Sequence, residues 1–177
     1  MTYKFTFISD ENEDFVRVIE INSEATFLDL HKAILSSVGY GEGQMTSFFT
    51  CTDDWEKEQE VTLIEIDDSS EFDNLTMEKT PLEELIFDEK QKVLYVFDPM
   101  FERAFFGELT EIITHKSAAE AVCTQAEGKA PAQEQDLDDM SFLTKEVTID
   151  EDFYGDSDYN LDELDAEGYG DLEFDER

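Results

Sequence analysis

The chain is poor in positive charge: among 177 residues there are 12 Lys or Arg against 47 Asp or Glu, a formal net charge of −35. Proteins that bind DNA, RNA or anionic lipid gain affinity from clusters of Lys and Arg that neutralise phosphate, and no such cluster is present. Direct nucleic-acid contact and binding to a membrane surface are therefore not expected. Cysteine is scarce as well. Cys51 and Cys123 are far apart with no Cys or His at metal-ligand spacing, which argues against a zinc ribbon or a disulfide framework and leaves two reduced thiols. Long apolar runs are missing: nowhere do the roughly twenty consecutive apolar residues of a membrane helix occur. The N-terminal Met-Thr-Tyr-Lys-Phe-Thr-Phe enters a strand pattern instead of a secretory leader, so a cytoplasmic location is expected. Phosphate-cradling glycine loops are absent too. Gly39, Gly41 and Gly43 mark a turn, with neither a P-loop nor a dinucleotide fingerprint around them, and no cofactor is called for.

What the chain has in excess is acid, unevenly mixed with aromatic residues. Residues 134–177 hold eighteen Asp or Glu against Lys145 and Arg177, while residues 1–133 hold twenty-nine acids against ten bases. A segment with so much like charge and so little aliphatic mass cannot bury enough apolar surface to offset the entropy of ordering its backbone. The expected organisation is one α+β domain over 1–133 followed by a mostly irregular acidic tail over 134–177. A field of this sign attracts a basic partner and speeds the encounter in a salt-dependent way. The plainer reading is that the acidity serves solubility.

Within the domain, Tyr3, Phe5 and Phe7 alternate with polar residues, and Phe15 to Ile21 forms a second strand after the Asp10–Asp14 turn, giving a β-hairpin. Thr26 with Asp29 three residues on is a capping pattern. Leu30, Ile34 and Val38 follow at helical spacing, and Gly39 ends the helix. Met45–Cys51 and Val61–Ile66 read as strands on either side of the Asp53–Asp54 turn. Thr80-Pro81-Leu82-Glu83 reads as the cap, N1 proline and N3 glutamate of a short helix, and Lys92–Asp98 as a strand. Phe105–Thr114 reads as a further strand, although Glu111–Val122 also fits a helical period. A hairpin, a helix across one face and later strands completing a mixed sheet suit a β-grasp-like arrangement. Its core is expected to draw Phe5, Phe7 and Val18 from the hairpin, Leu30 and Ile34 from the helix, and Phe49, Leu63, Leu94 and Val96 from the later strands.

The helix Thr26-Phe27-Leu28-Asp29-Leu30-His31-Lys32-Ala33-Ile34, the strand Leu94-Tyr95-Val96-Phe97-Asp98 and the stretch Glu108-Leu109-Thr110-Glu111-Ile112 resemble the plasmid pRiA4b Orf-3-like family over residues 1–133. That family has a T-L-x-D-L-H-x-x-I segment followed much later by an aromatic Y-D-F-G-D strand and turn. Here Pro99-Met100-Phe101-Glu102-Arg103 replaces the Gly-Asp turn and the Trp and His after it. The resemblance implies a fold and an association with plasmids and mobile elements, but no biochemical activity.

No catalytic constellation is visible. His31 lies beside Leu30 in the helix, where a lone histidine is ordinarily a surface or half-buried residue, and neither it nor His115 has a nucleophile in a recognised local motif. The chain is read as a non-enzymatic binding or adaptor protein with no catalytic residues assigned. An enzyme would need a polar cleft built from residues distant in sequence, with His31, Asp98, Glu102 and Arg103 the first to inspect. In the tail, Asp156, Asp158, Asn160 and Glu167 fall at calcium-loop positions, but Leu161 occupies the place that needs glycine, so no specific metal site is expected. The tail's Phe153, Tyr154, Tyr159, Leu161, Leu164, Tyr169 and Phe174 are the partner-binding candidates, with charge steering a basic partner and aromatics anchoring it. Packing of the same side chains back onto the domain is the competing reading. A narrower possibility is mimicry of nucleic-acid charge on a basic protein.

Overall fold

Alternation in Tyr3, Phe5 and Phe7 places three aromatic side chains on one face of β1 (Thr2–Ser9), and the tight Asp10–Asp14 connection returns the chain as β2 (Val16–Asn22), antiparallel with Phe5 opposite Ile19. The computed structural model describes residues 1–65 and 75–135. By contact the chain divides after Gln135, into Met1–Gln135 and Asp136–Arg177. The tail residues named above as partner-binding candidates, the calcium-loop positions and Ile66 of the expected strand lie outside the described residues.

The helix α1 (Phe27–Val38) begins as its sequence directs. The Thr26 hydroxyl accepts from the Asp29 backbone N–H at 3.3 Å, and the Asp29 carboxylate accepts from the Thr26 N–H at 3.0 Å. Two more of the otherwise orphaned N–H groups of its first turn are met from outside the helix. Phe27 donates to the Thr80 carbonyl at 3.1 Å and Leu28 to the Met77 carbonyl at 2.9 Å. Gly39 ends the helix at φ +70, a left-handed conformation that a side chain would strain. The short α2 (Leu82–Leu85) differs from expectation. Pro81 stands at the N-cap without a side-chain hydrogen bond, and the Thr80 carbonyl serves α1 instead.

Among the described residues, β3 (Ser47–Cys51), β4 (Lys57–Thr62), β5 (Leu75–Thr76), β6 (Lys92–Asp98), β7 (Arg103–Ile113) and β8 (Val122–Glu127) join the hairpin in one eight-stranded sheet, ordered β5-β4-β3-β6-β7-β1-β2-β8. Every pairing is antiparallel except β4 with β5, so the sheet is mixed and the class is α+β. The stretch after Thr110 stays extended to Ile113 and then turns, so it is not helical. β4 starts at Lys57, earlier than expected, because Lys57–Glu60 is an exposed polar stretch held by backbone pairing to β3 and carries no apolar period. β8 was not anticipated for the same reason: on this strand at the sheet's edge, five of six residues are exposed.

The sheet has two apolar faces, and this corrects the expected core. One face carries the main core, where Tyr3, Phe5, Phe7, Phe48, Tyr95, Phe97 and Phe105 pack against Phe27, Leu30 and Ile34 of α1. The other carries a smaller cluster of Cys51, Leu94, Val96 and Ala104 with Phe49, Trp55 and Phe106 against it. Phe49, Leu94 and Val96 therefore belong to this second layer, and Phe48, Val93, Tyr95 and Phe97 take the places expected for them. Val18, though buried, lies outside the main cluster that Ile19 and Ile21 enter. Side chains alternate strictly along a strand, so a reading one residue out exchanges the faces. Trp55 closes the second layer from a backbone at φ +65, its ring edge-on to Phe106 at 5.0 Å with the Lys92 ammonium 4.8 Å from its centre.

Candidate functional site

The four residues expected to line an enzyme cleft fall in two separate places. Asp98 and Arg103 flank the turn from β6 to β7, and Glu102 between them is exposed, at φ +53. Arg103 is 8 % exposed and uses all five of its N–H donors. Nε and Nη2 grip the Glu11 carboxylate at 2.8 and 2.9 Å, Nη1 reaches Asp98 at 3.3 Å, and Nη2 and Nη1 donate to the carbonyls of Ala132 and Gln133 at 2.7 and 3.4 Å. Its guanidinium lies 4.9 Å from the centre of the Phe97 ring. The planar fork suits this bidentate work, and the hydrogen bonds to Glu11 push the Arg103 pKa up further.

These contacts fasten a strap, residues 128–135, along the end of the sheet. Asn12 donates to the Lys129 carbonyl at 2.7 Å, Tyr40 to the Pro131 carbonyl at 2.6 Å, and the Gln133 amide pairs both ways with the Gly41 backbone at 2.8 and 2.9 Å. Burial pushes the Tyr40 phenol up to about 12, so it stays a donor. A second buried guanidinium, Arg17, holds the start of the strap by donating to the Glu127 and Gly128 carbonyls and to Ser37 at the end of α1. At this end of the sheet the donors of Arg103 and Arg17 are engaged by carbonyls and carboxylates of the fold itself.

His31 lies elsewhere. It is 5 % exposed on the inner face of α1, which corrects the surface or half-buried placement expected for it. Its Nδ1 is 2.8 Å from the Tyr95 hydroxyl and 3.4 Å from the Thr46 hydroxyl, and it shares no hydrogen bond or ion pair with Asp98, Glu102 or Arg103. Burial lowers the His31 pKa and raises that of Tyr95, so both are neutral at pH 7. The network satisfies three polar groups inside an apolar core.

Among the clefts lined by the described residues, two open ones meet at Phe87. The first, about 550 Å³, is walled by Met1, Tyr3, Pro81, Phe87 and Ile112, with Glu83 and Glu84 at its rim. The second, about 620 Å³, lies between the β3–β4 turn and the loop after α2, and brings Asp53, Glu58, Asp88 and Glu89 around Phe87. Phe87 is 63 % exposed. Sequence reasoning passed over it because Ile86-Phe87-Asp88-Glu89 reads as a loop. The available signal was an aromatic residue among acids outside any strand or helix period. Among the described residues no three His, Cys, Asp or Glu are grouped to hold a metal ion, and no helix is long and apolar enough to cross a membrane.

A family model described as plasmid pRiA4b ORF-3-like protein matches residues 6–162. Of the solved structures, a protein of unknown function, MM3350 from Methanosarcina mazei Go1, is similar at 19 % identity and a TM-score of 0.59, covering 86 % of this chain and 85 % of that one. That likeness is one of fold. No curated protein matches the chain.

Proposed function

The chain belongs to the plasmid pRiA4b ORF-3-like protein family, and within that family we propose that it is a non-enzymatic binding or adaptor protein whose acidic surface selects a basic partner. The observation that carries this reading is how the few cations are spent. Of the ten Lys and Arg among the described residues, Arg17 and Arg103 are buried in hydrogen bonds of the fold, Lys4, Lys79 and Lys116 pair with Glu111, Glu65 and Glu20, and Lys57 and Lys92 lie over the rings of Phe49 and Trp55. Lys32, Lys90 and Lys129 are exposed, but residues 1–133 hold twenty-nine acids against ten bases, so carboxylate dominates what the domain presents to solvent. A surface of one sign raises the encounter rate of an oppositely charged protein and repels phosphate polymers.

The acidic tail, 134–177, adds to the same field and contributes aromatic anchors in this reading. The protein works inside the cell, and the family's name supports a link to plasmids or other mobile elements. The β-grasp likeness belongs to the proposal too, supported by the order of hairpin, crossing helix and later strands. The test is a pull-down from a lysate of the producing cell at low and high salt. Retention of a basic protein at low salt and its release at high salt is expected. Retention of nothing basic, or binding indifferent to salt, would overturn the reading.

A further inference from the structure

Phe87 projects from a loop that is held from three sides. The Gln91 side chain accepts from the N–H groups of Phe87 and Asp88 at 3.1 and 3.4 Å and donates to the Leu85 carbonyl at 2.7 Å. Lys90 donates to the Leu109 carbonyl at 2.7 Å, and Leu109 returns a bond to Gln91 at 3.0 Å. The Tyr3 hydroxyl anchors the carbonyl of buried Ile86 at 2.7 Å. A loop held by these bonds has its backbone ordered before any contact is made, so an exposed ring on it can bind at a lower entropic cost.

Its surroundings specify what it fits. On one side is an apolar wall of Tyr3, Pro81 and Ile112 below Glu83 and Glu84. On the other are Asp53, Glu58, Asp88 and Glu89, and these six carboxylates face a single lysine, Lys90, among the lining residues. An arginine answers both requirements, because its planar guanidinium stacks on a ring while its edge donates to carboxylates. The fold already uses that geometry at Arg103, 4.9 Å over Phe97 while it grips the Glu11 carboxylate, and Arg17 lies 4.5 Å over Phe15 with its edge donating to backbone carbonyls. We propose that the Phe87 ridge and its two clefts are the docking site for an arginine-bearing segment of a basic partner protein, one arginine lying across the Phe87 ring and a neighbouring apolar side chain entering the Tyr3–Pro81–Ile112 cleft. This rests on the basic-partner reading and assigns it a place on the folded domain.

The probe is a synthetic peptide of alternating Arg and Leu, titrated into 15N-labelled full-length protein at low salt and followed by amide chemical shifts. Saturable shifts of the Phe87, Glu84 and Ile112 amides are expected. Phe87→Ala should weaken that site about five- to thirtyfold, the loss of one partly desolvated cation–π contact, while Phe87→Trp preserves or tightens it. Because Phe87 is exposed, neither substitution should disturb the fold, and unchanged shifts of the core amides in the free variants check this. Binding by the wild type that leaves the Phe87 amide unmoved, or that Phe87→Ala does not weaken, overturns the docking site and leaves the basic-partner reading standing. No binding of the peptide at low salt overturns both.

Discussion

Replacing Arg103 with Met keeps most of the aliphatic stem and removes five hydrogen bonds at once. The two carboxylates left behind differ in access to water, since the Glu11 side chain is 33 % exposed and that of Asp98 is 13 % exposed. Breaking a fully buried pair by removing one partner costs about 3–5 kcal/mol, mostly as the desolvation of the charge that remains. Glu11 can recover part of its hydration, so the lower end, about 3 kcal/mol, applies here. For a unit of this size that amounts to a fall in Tm of roughly 10 °C, read by circular dichroism. Loss of the clamp also frees Ala132 and Gln133, so the amides of the strap should exchange hydrogen faster than those of β1. A double-mutant cycle with Glu11→Gln separates the pair from the rest. The coupling should reach at least about 1.5 kcal/mol, because in the double variant no buried carboxylate is stranded at that position. A Tm change under about 2 °C, or single effects that simply add, would refute the account of Arg103 as the clamp of the strap.

Three further outcomes follow from the same geometry. Burial lowers the His31 pKa in the folded chain below the 6.5 of the unfolded chain, so below pH 6.5 the unfolded state binds more protons and stability falls toward the folded pKa, by up to roughly 1.4 kcal/mol per pH unit. In urea titrations at pH 7.5 and 5.5 the wild type should lose more stability than His31→Gln, and equal losses would remove His31 from the acid response. Gly107→Ala would place a methyl 2.4 Å from the Phe7 ring and 3.1 Å from the Val93 carbonyl, so a loss of about 1–3 kcal/mol in urea is expected, and an unchanged midpoint would show that Phe7 has room to turn. Trp55→Ala should cost about 2 kcal/mol, less than for a fully buried ring, and increase binding of a hydrophobic dye at the uncovered Leu94 and Val96. Unaltered dye binding would mean that the second layer does not need its cover.

Local chemistry made part of this protein legible before any coordinates. The first hairpin follows from alternation in Tyr3, Phe5 and Phe7, and α1 from Thr26, Asp29 and Gly39, because a cap, a turn or a short strand is settled among residues a few positions apart. The acid excess is likewise a property of the chain alone. The α+β class followed from the order of these elements, together with the motifs shared with a family.

Only the tertiary structure decided the rest, since those features depend on partners far away in sequence. Val93 to Phe97 is apolar throughout, and which of its residues enter the main core was set by Trp55, Phe49 and Phe106 covering the opposite face. β8 is a strand because β2 offers it hydrogen bonds, not because its exposed side chains ask to be one. His31 is a core residue because Tyr95 and Thr46 satisfy it, and Arg103 meets Glu11 and Asp98, not His31. The Phe87 ridge exists because Gln91, Leu109 and Tyr3 fix a loop whose own sequence specifies no regular structure. Charge, caps and alternation act over a few residues and can be read along the chain, whereas burial and the convergence of side chains are properties of closure.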